Sequence, residues 1–155
     1  MSAYLLLKTL HVLSSVLLVG TGFGTAYFFY FANRSANVQA QAVVARLVVR
    51  ADWWFTTPAA IVQPASGLAL VWLEGYPLHS AWIVWALVLY ALAGACWLPV
   101  LWLQHRMAAM AHDAATRGEP LPPRYRQYAR RWERLGYPAF AAMLVVFWLM
   151  VAKPG

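Results

Sequence analysis

The sequence contains few charged residues for its length. Among its 155 residues there are 12 lysines and arginines and five aspartates and glutamates, so charged residues make up 11% of the chain and hydrophobic residues 63%. A soluble domain usually has about 25% charged residues and about 45–50% apolar ones. The shortage of charge therefore excludes an ordinary soluble domain and a disordered chain, and it predicts an integral membrane protein.

Cysteines and recognisable enzyme motifs are also scarce. Cys96 is the single cysteine, which excludes an internal disulfide and a cysteine-based zinc site. The sequence has no P-loop, no G-x-S-x-G element and no H-E-x-x-H element. Asp52 and Glu74 lie at the edges of apolar segments, and this position argues against a relay of carboxylates across a bilayer.

Four apolar segments are long enough to cross a bilayer as helices. A bilayer core of roughly 30 Å requires about 20 apolar residues in a helix, and the predicted spans are residues 4–32, 53–73, 81–104 and 136–152. The first is too long to be the apolar core of a cleaved signal peptide. Pro64 and Gly67 predict a kink in the second. We therefore predict an all-α fold, a four-helix bundle in the membrane, formed by one domain over residues 1–155.

An arginine-rich segment precedes the fourth span. Residues 124–135 (RYRQYARRWERL) place Tyr125, Tyr128 and Trp132 on one face of a helix, and arginines cover the remainder. A basic amphipathic helix of this kind is typical of the membrane interface. The pattern predicts an interfacial helix that leads into the fourth span, in a loop that contacts anionic lipid headgroups.

The basic residues are distributed unevenly between the two sides of the membrane. Ten of the 12 lysines and arginines fall in the first and third loops, whereas Lys8 and Lys153 lie on the opposite side. Cytoplasmic loops carry such an excess of positive charge. We predict a multi-pass protein of the bacterial inner membrane with both termini in the periplasm. Because the arginines flank apolar spans, the net charge of +7 does not predict nucleic-acid binding.

His11 is the main candidate for a functional residue, because ionisable side chains inside a span are costly and often functional. Lys8, Ser15 and Gly22 lie on the same helical face. A buried imidazole binds haem iron through one nitrogen while the other is hydrogen-bonded. We predict that His11 binds haem b beside Ser15, that Lys8 pairs with a propionate or reaches the headgroups, and that Gly22 leaves room for the macrocycle or for a close helix. The alternative is a histidine that is hydrogen-bonded across the bundle.

The other histidines leave alternatives open. His79 lies at the start of the third span, on the same side as His11, and is either a second axial ligand of the haem iron or an exposed turn residue. His105 and His112 lie seven residues apart on a helical extension. They either share a metal or face solvent and headgroups.

Small and polar residues in the first two spans indicate helix packing. Gly20 and Gly24 form a small-xxx-small pair, which is a pattern for close approach of helices within one chain or between two. Gln63 and Ser66 lie about one turn apart in the second span. We predict that they hydrogen-bond to another helix, with a ligand as the alternative partner.

Several segments together resemble a bacterial family of predicted four-helix integral membrane proteins of unknown function. The resemblance covers nearly the whole chain, and it implies the fold but no activity. The segments that carry it are Leu7-Lys8-Thr9-Leu10-His11-Val12-Leu13, Thr57-Pro58-Ala59, Ser66-Gly67-Leu68, Trp82, Arg131-Trp132, Gly136-Tyr137-Pro138-Ala139-Phe140 and Leu149-Met150-Val151-Ala152-Lys153-Pro154.

A more distant resemblance concerns the membrane-embedded haem-dependent protoporphyrinogen oxidases and, in part, the copper-resistance D membrane proteins. Its elements are the K-x-x-H opening at Lys8 and His11, the T-P-A and S-G-L elements and the K-P ending. The resemblance implies that His11 is a haem b ligand. A lysine expected early in the third span has no counterpart, because residues 83–85 are Ile-Val-Trp, and this departure weakens the implied oxidase activity.

These observations lead to three functional hypotheses. The first is a b-type haem protein with a redox or electron-transfer role, which is a haem-dependent membrane oxidoreductase if the site is open to a substrate. Its partners are the lipid bilayer and either a redox partner or a second copy of the chain. The second is a non-catalytic membrane subunit or scaffold that has no cofactor and associates through the glycine stripe of the first span. The third, a permease, is the least favoured, since the spans contain no carboxylates.

Overall fold

The computed structural model describes residues 2–154, and regular structure in that part of the chain is entirely helical. The chain forms four long helical runs joined by short connections. The elements are α1 (Ala3–Arg34), α2 (Val38–Ala51), a π-helical turn (Asp52–Thr56), α3 (Thr57–Glu74), α4 (Ala81–Arg117) and α5 (Pro123–Ala152). The all-α prediction is confirmed.

Local sequence signals set most helix ends. Ser2 caps α1 by accepting a hydrogen bond from the backbone N–H of Leu5, and Asn37 caps α2 in the same way for Ala40. Gly75 and Gly118 end α3 and α4 with φ angles of +71° and +67°. This left-handed conformation costs glycine little, because it has no Cβ atom.

Two prolines shape the second helical run, which consists of α2, the π turn and α3. The π turn ends just before Thr57-Pro58. Its wider winding accommodates Pro58, which has no backbone N–H and whose ring crowds the preceding turn. Helix α3 then continues through Pro64, which leaves the carbonyl of Ala60 without its helical donor. The Tyr90 hydroxyl on α4 donates to that carbonyl oxygen at 2.7 Å, so a neighbouring helix replaces the lost backbone bond.

The helices alternate in direction, and the two ends of the bundle differ. Helix α4 packs along α5 and against α2, whereas α1 packs against α2, the π turn and α3. We call the half that contains the connections 35–37 and 118–122 the arginine-rich half, and the half that contains both chain ends and the turn 75–80 the terminal half. In the terminal half, Lys153 of the chain end donates from Nζ to the Tyr76 hydroxyl of that turn at 3.2 Å.

The arginine-rich half has an aromatic core to which α1, α2, α4 and α5 all contribute. Its buried members are Phe29, Ala45, Val48, Val100, Leu103, Met107, Ala111, Tyr125, Tyr128, Ala129 and Trp132. At its edge, the Arg34 guanidinium forms a two-point salt bridge with the Glu133 carboxylate at 2.9 and 3.2 Å. The apolar cluster of the terminal half is smaller, and its buried members come from α4 and α5, with Val71 of α3 and Tyr76 of the turn 75–80 packed at its edge. The buried members are Trp82, Ile83, Ala86, Val146 and Leu149.

Three helices of the described residues are long and apolar enough to cross a membrane. They are α1, α4 and α5, which contain the predicted spans 4–32, 81–104 and 136–152. Helix α3, which carries most of the predicted span 53–73, falls outside this group. Its 18 residues include Gln63, Pro64 and Ser66, and these lower its hydropathy.

The segment predicted to be an interfacial helix before the fourth span is helical, but its aromatic face does not lie at an interface. Residues 124–135 form the first turns of α5, which continues without a break to Ala152. Tyr125, Tyr128 and Trp132 are buried against the other helices instead of facing headgroups. The Tyr125 hydroxyl donates to the Asn33 side-chain carbonyl at 2.6 Å, and burial raises the pKa of Tyr125. The aromatic face predicted from the spacing exists, but it packs against protein.

Candidate functional site

The His11 ring lies half-buried between α1 and α3 in the terminal half. Its Nδ1 atom is 2.9 Å from the Ser66 hydroxyl, and its Nε2 atom is 3.2 Å from the Gln63 side-chain nitrogen. These partners lie 55 and 52 residues away along the chain. The prediction that Gln63 and Ser66 hydrogen-bond to another helix is confirmed, and that helix is the one that carries His11.

The pattern of donors and acceptors assigns the histidine tautomer. The Ser66 hydroxyl donates to the carbonyl of Val62 at 2.7 Å, so it accepts a hydrogen bond from Nδ1–H of His11. The Gln63 amide nitrogen is a donor only, so Nε2 of His11 accepts from it. This arrangement corresponds to a neutral imidazole with its proton on Nδ1, assigned from the hydrogen-bond network.

Ser14 completes this group of side chains and was missed by the sequence prediction, which chose Ser15. The buried Ser14 hydroxyl donates to the side-chain oxygen of Gln63. The Ser15 hydroxyl donates instead to the carbonyl of Val12 in its own helix at 2.7 Å. Both serines lie about one turn from His11, so spacing alone could not distinguish them. We call His11, Ser14, Gln63 and Ser66 the His11 network.

Gly67 permits the close approach of the His11 ring to α3. A Cβ atom at this position would lie 3.0 Å from Cε1 of His11, which is closer than ordinary van der Waals contact. At Gly22, a Cβ atom would have no neighbour within 4 Å. Within the described residues no helix approaches Gly22 closely, so room there for a macrocycle or for a helix stays a prediction, and Gly67 is the glycine that permits the close approach of α1 and α3.

The other predicted site residues lie outside the His11 network. The exposed Lys8 contacts Tyr4, with Nζ 3.0 Å from the phenol oxygen and 5.2 Å from the ring centre. His79 is exposed in the turn 75–80, and within residues 2–154 no hydrogen bond joins it to His11. His105 and His112 are exposed on α4. Over the same residues, no group of three or more His, Cys, Asp or Glu side chains is placed to hold a metal ion.

Comparison with known proteins agrees with this membrane architecture. A family model described as "Predicted integral membrane protein (DUF2269)" matches residues 5–154. The chain belongs to this DUF2269 family. No curated protein and no solved structure matches it. The predicted resemblance to a family of integral membrane proteins of unknown function is thus confirmed, whereas the more distant similarity to haem-dependent oxidases and copper-resistance D proteins stays a prediction.

The arrangement around His11 in this DUF2269 chain does not fit a haem group. Iron at Nε2 would have to replace the hydrogen bond from Gln63, and iron at Nδ1 would have to replace the bond to Ser66. In addition, Cε1 of the ring packs directly against Gly67. Haem b ligation by His11, with His79 as second ligand, stays a prediction that this geometry does not favour.

Proposed function

We propose that the chain is a cofactor-free, non-catalytic subunit of the bacterial inner membrane that crosses the bilayer four times and pairs with a second copy of itself. The observation that carries the proposal is the use of both His11 ring nitrogens inside the bundle, by Gln63 and Ser66. A histidine with two satisfied nitrogens holds helices together and leaves no nitrogen for a metal.

The packing of α3 supports a fourth crossing. Helix α3 runs antiparallel to α1, which is a candidate span, and contacts it through the His11 network. The polar side chains that lower the hydropathy of α3 point at α1, because Gln63 and Ser66 bond to His11. A helix whose polar groups are paired inside the bundle exposes apolar residues such as Ile61 and Leu68, which suit contact with lipid.

The distribution of charge supports periplasmic termini. The ten arginines lie in the arginine-rich half, and Lys8 and Lys153 lie in the terminal half. The positive-inside rule places the arginine-rich half in the cytoplasm, where it contacts anionic lipid headgroups. In a background with Cys96→Ser, a membrane-impermeant maleimide should label Leu78→Cys in intact cells but not Glu119→Cys. The reverse labelling would overturn this orientation.

The surface of α1 supports self-association. A Cβ atom at Gly20 or Gly24 would have no neighbour within 4 Å, so the stripe formed by these two glycines is not used for packing between the helices of residues 2–154. Phe23, Tyr27 and several other large apolar residues of α1 are also exposed. Small residues on a lipid-facing helix permit another helix to approach closely, and the same stripe on a second copy is the proposed partner.

Absorption spectroscopy tests the absence of a cofactor. Protein purified in detergent from haem-replete cells should show no Soret band, and His11→Ala should leave the spectrum unchanged. His105→Ala, which replaces an exposed histidine, is the matched control. A Soret band that disappears in folded His11→Ala but persists in His105→Ala would overturn the proposal and favour the haem prediction.

The oligomeric state tests the association surface. Light scattering in detergent and crosslinking in liposomes should report a dimer for the unmodified chain and a monomer for Gly24→Leu. Gly94→Leu on α4 is the matched control, because Gly94 also has open space where a Cβ atom would lie. A monomeric unmodified chain, or equal behaviour of the two variants, would contradict pairing through the glycine stripe.

A further inference from the structure

An open apolar groove lies on the surface of the bundle between α1, α2 and the π turn. Its volume is about 700 Å³, which falls within the range of about 300–1,000 Å³ that is usual for ligand sites. Most of its lining residues are large and apolar. They include Phe28 of α1, Leu47 and Val48 of α2, and Trp54 and Phe55 of the π turn. We call this feature the α2 groove.

Two arginines of α2 lie at the α2 groove and beside it. Within residues 2–154, Arg50 is the only charged residue that lines the groove. Arg46 lies about one helical turn earlier on the same face, and both side chains are exposed. Neither forms a salt bridge with another residue between 2 and 154. Like charges one turn apart on a helix repel each other, so an anion that contacts both arginines would remove this repulsion.

The residues along the second helical run change from basic to aromatic. Arg46, Arg50 and Trp54 follow one another at intervals of four residues, and Arg46 is the nearest of the three to the connection 35–37. Trp54 is exposed, and tryptophan is enriched at the boundary between membrane and water. This order matches that of a phospholipid whose phosphate lies toward the arginine-rich half and whose chains extend toward the terminal half.

The groove and the arginines together limit the kind of ligand. Guanidinium groups bind phosphate oxygens through strong charge-assisted hydrogen bonds, whereas the apolar walls suit a hydrocarbon chain. A small soluble anion would leave the walls uncovered, and an uncharged lipid would leave the arginines uncompensated. Basic pockets between membrane helices on the cytoplasmic side are known to bind the headgroups of anionic lipids.

We propose that the α2 groove is a binding site for one anionic phospholipid. An acyl chain lies along Phe28, Leu47 and Phe55, and the phosphate contacts Arg50 and Arg46. The inference rests on one element of the proposed function, which is the contact of the arginine-rich half with anionic headgroups. It depends neither on pairing through the glycine stripe nor on the absence of haem.

The experiment titrates delipidated protein in detergent with phosphatidylglycerol or with phosphatidylcholine of the same acyl chains. Native mass spectrometry counts the lipids retained, and thermal unfolding gives the melting temperature. The chain should retain one phosphatidylglycerol and become more stable, because a ligand that binds only the folded state stabilises it. Phosphatidylcholine should require a higher concentration for the same rise in melting temperature. Inorganic phosphate should produce no comparable rise, because it does not cover the apolar walls.

Two variants test the groove itself, each with a matched control. Arg50→Gln should bind phosphatidylglycerol about five-fold more weakly, since one arginine near a membrane surface contributes about 1 kcal/mol. Arg126→Gln, which changes an exposed arginine of α5 outside the groove, should leave the affinity unchanged. Leu47→Trp adds a bulky ring to the wall of the groove and should also weaken binding. Leu98→Trp, at an exposed position of α4, should not.

Three outcomes would overturn the proposal. Equal stabilisation by the two lipids would show that the arginines do not select the headgroup. Equal weakening by Arg50→Gln and Arg126→Gln would show a general attraction to the positive surface. If neither lipid stabilises the chain and Leu47→Trp converts a dimer to a monomer, a second copy covers the groove instead. The Soret band, the Gly24→Leu variant and the maleimide labelling report on the proposed function separately, so its failure can be told from a failure of this site.

Discussion

The two halves of the bundle are held together in different ways. In the arginine-rich half, four helical runs share one apolar core, which includes Phe29, Met107 and Trp132. In the terminal half the main contacts lie within two helix pairs. The His11 network joins α1 to α3, and a small cluster around Trp82 joins α4 to α5. The terminal half therefore depends more on a few polar contacts.

The surroundings of each half explain the difference. The exposed surface of the arginine-rich half carries most of the charged residues, and charged side chains are costly in hydrocarbon, so water and headgroups suit this half better than lipid tails do. Water makes the burial of aromatic and aliphatic side chains favourable. Hydrocarbon does not, because lipid tails are as apolar as the helices. Within lipid, close packing and hydrogen bonds between helices remain as the sources of stability, and the His11 network supplies both.

The largest loss of stability is expected from a truncation in the core of the arginine-rich half. Trp132 is buried and packs edge-to-face against Phe29, with the two ring centres 5.1 Å apart. Trp132→Ala should lower the free energy of unfolding by about 3–5 kcal/mol, as measured by thermal or chemical unfolding in detergent. Trp148→Ala on the same helix is the control, because Trp148 is exposed. Equal losses for the two variants would contradict a water-driven core in this half.

A smaller loss is expected at the contact between α1 and α3 in the terminal half. Gly67→Ala places a methyl group 3.0 Å from Cε1 of His11, so the ring must move and its hydrogen bonds must distort. The expected cost is about 1–3 kcal/mol in unfolding experiments. The same substitution at Gly22 should be neutral or slightly stabilising, since alanine favours helix.

A double variant sharpens the Gly67 prediction. In a His11→Ala background the ring is absent, so Gly67→Ala should cost much less than it does in the unmodified chain. Simple additivity of the two substitutions would show that the methyl group disturbs something other than the His11 ring.

The hydrogen bond from Tyr90 on α4 to the Ala60 carbonyl on α3 links the two helix pairs. It should contribute about 1 kcal/mol to the free energy of unfolding. Tyr90→Phe removes the donor to the Ala60 carbonyl, which Pro64 leaves without a helical partner. Unfolding should therefore occur at a lower temperature for Tyr90→Phe than for Tyr27→Phe, which changes an exposed tyrosine. Adding Pro64→Ala should recover part of the loss, because alanine restores the backbone donor. A lack of recovery would argue against this explanation.

The smallest effect is expected at the edge of the arginine-rich half. The Arg34–Glu133 salt bridge has good two-point geometry, but the Arg34 side chain is 45% exposed. Glu133→Gln should cost less than about 1 kcal/mol, and the cost should fall further at high salt. Glu119→Gln in the connection 118–122 provides the baseline for the free energy lost when a carboxylate is replaced by an amide. A large, salt-independent loss would mean that this ion pair belongs to the core.

Much of the fold could be predicted from the residue pattern. Helix ends at Gly75 and Gly118 follow from local backbone preferences, and the apolar spans follow from the composition of long uncharged segments. The face shared by Tyr125 and Trp132 was also predicted. Its surroundings were not, because an aromatic face beside arginines suits both a headgroup layer and a protein core. The burial of these side chains against the other helices decides for the protein core.

The candidate site could be predicted only in part. His11 was identified because an ionisable residue inside an apolar span is unusual, and Gln63 and Ser66 were identified for a similar reason. Ser14 and Gly67 were missed. Serine and glycine are common in membrane helices, so neither residue can be identified as part of the site until the rotation of α1 against α3 is known.

The sequence by itself determined that the chain is helical and belongs in a membrane, because composition and local backbone preferences act over short distances along the chain. It also determined the uneven charge of the two ends, which follows from the order of the spans. The tertiary structure alone decided that His11 bonds to Gln63 and Ser66, and that Tyr125 bonds to Asn33. These contacts depend on how far each helix is rotated and shifted against its neighbours. Helical periodicity leaves both quantities open.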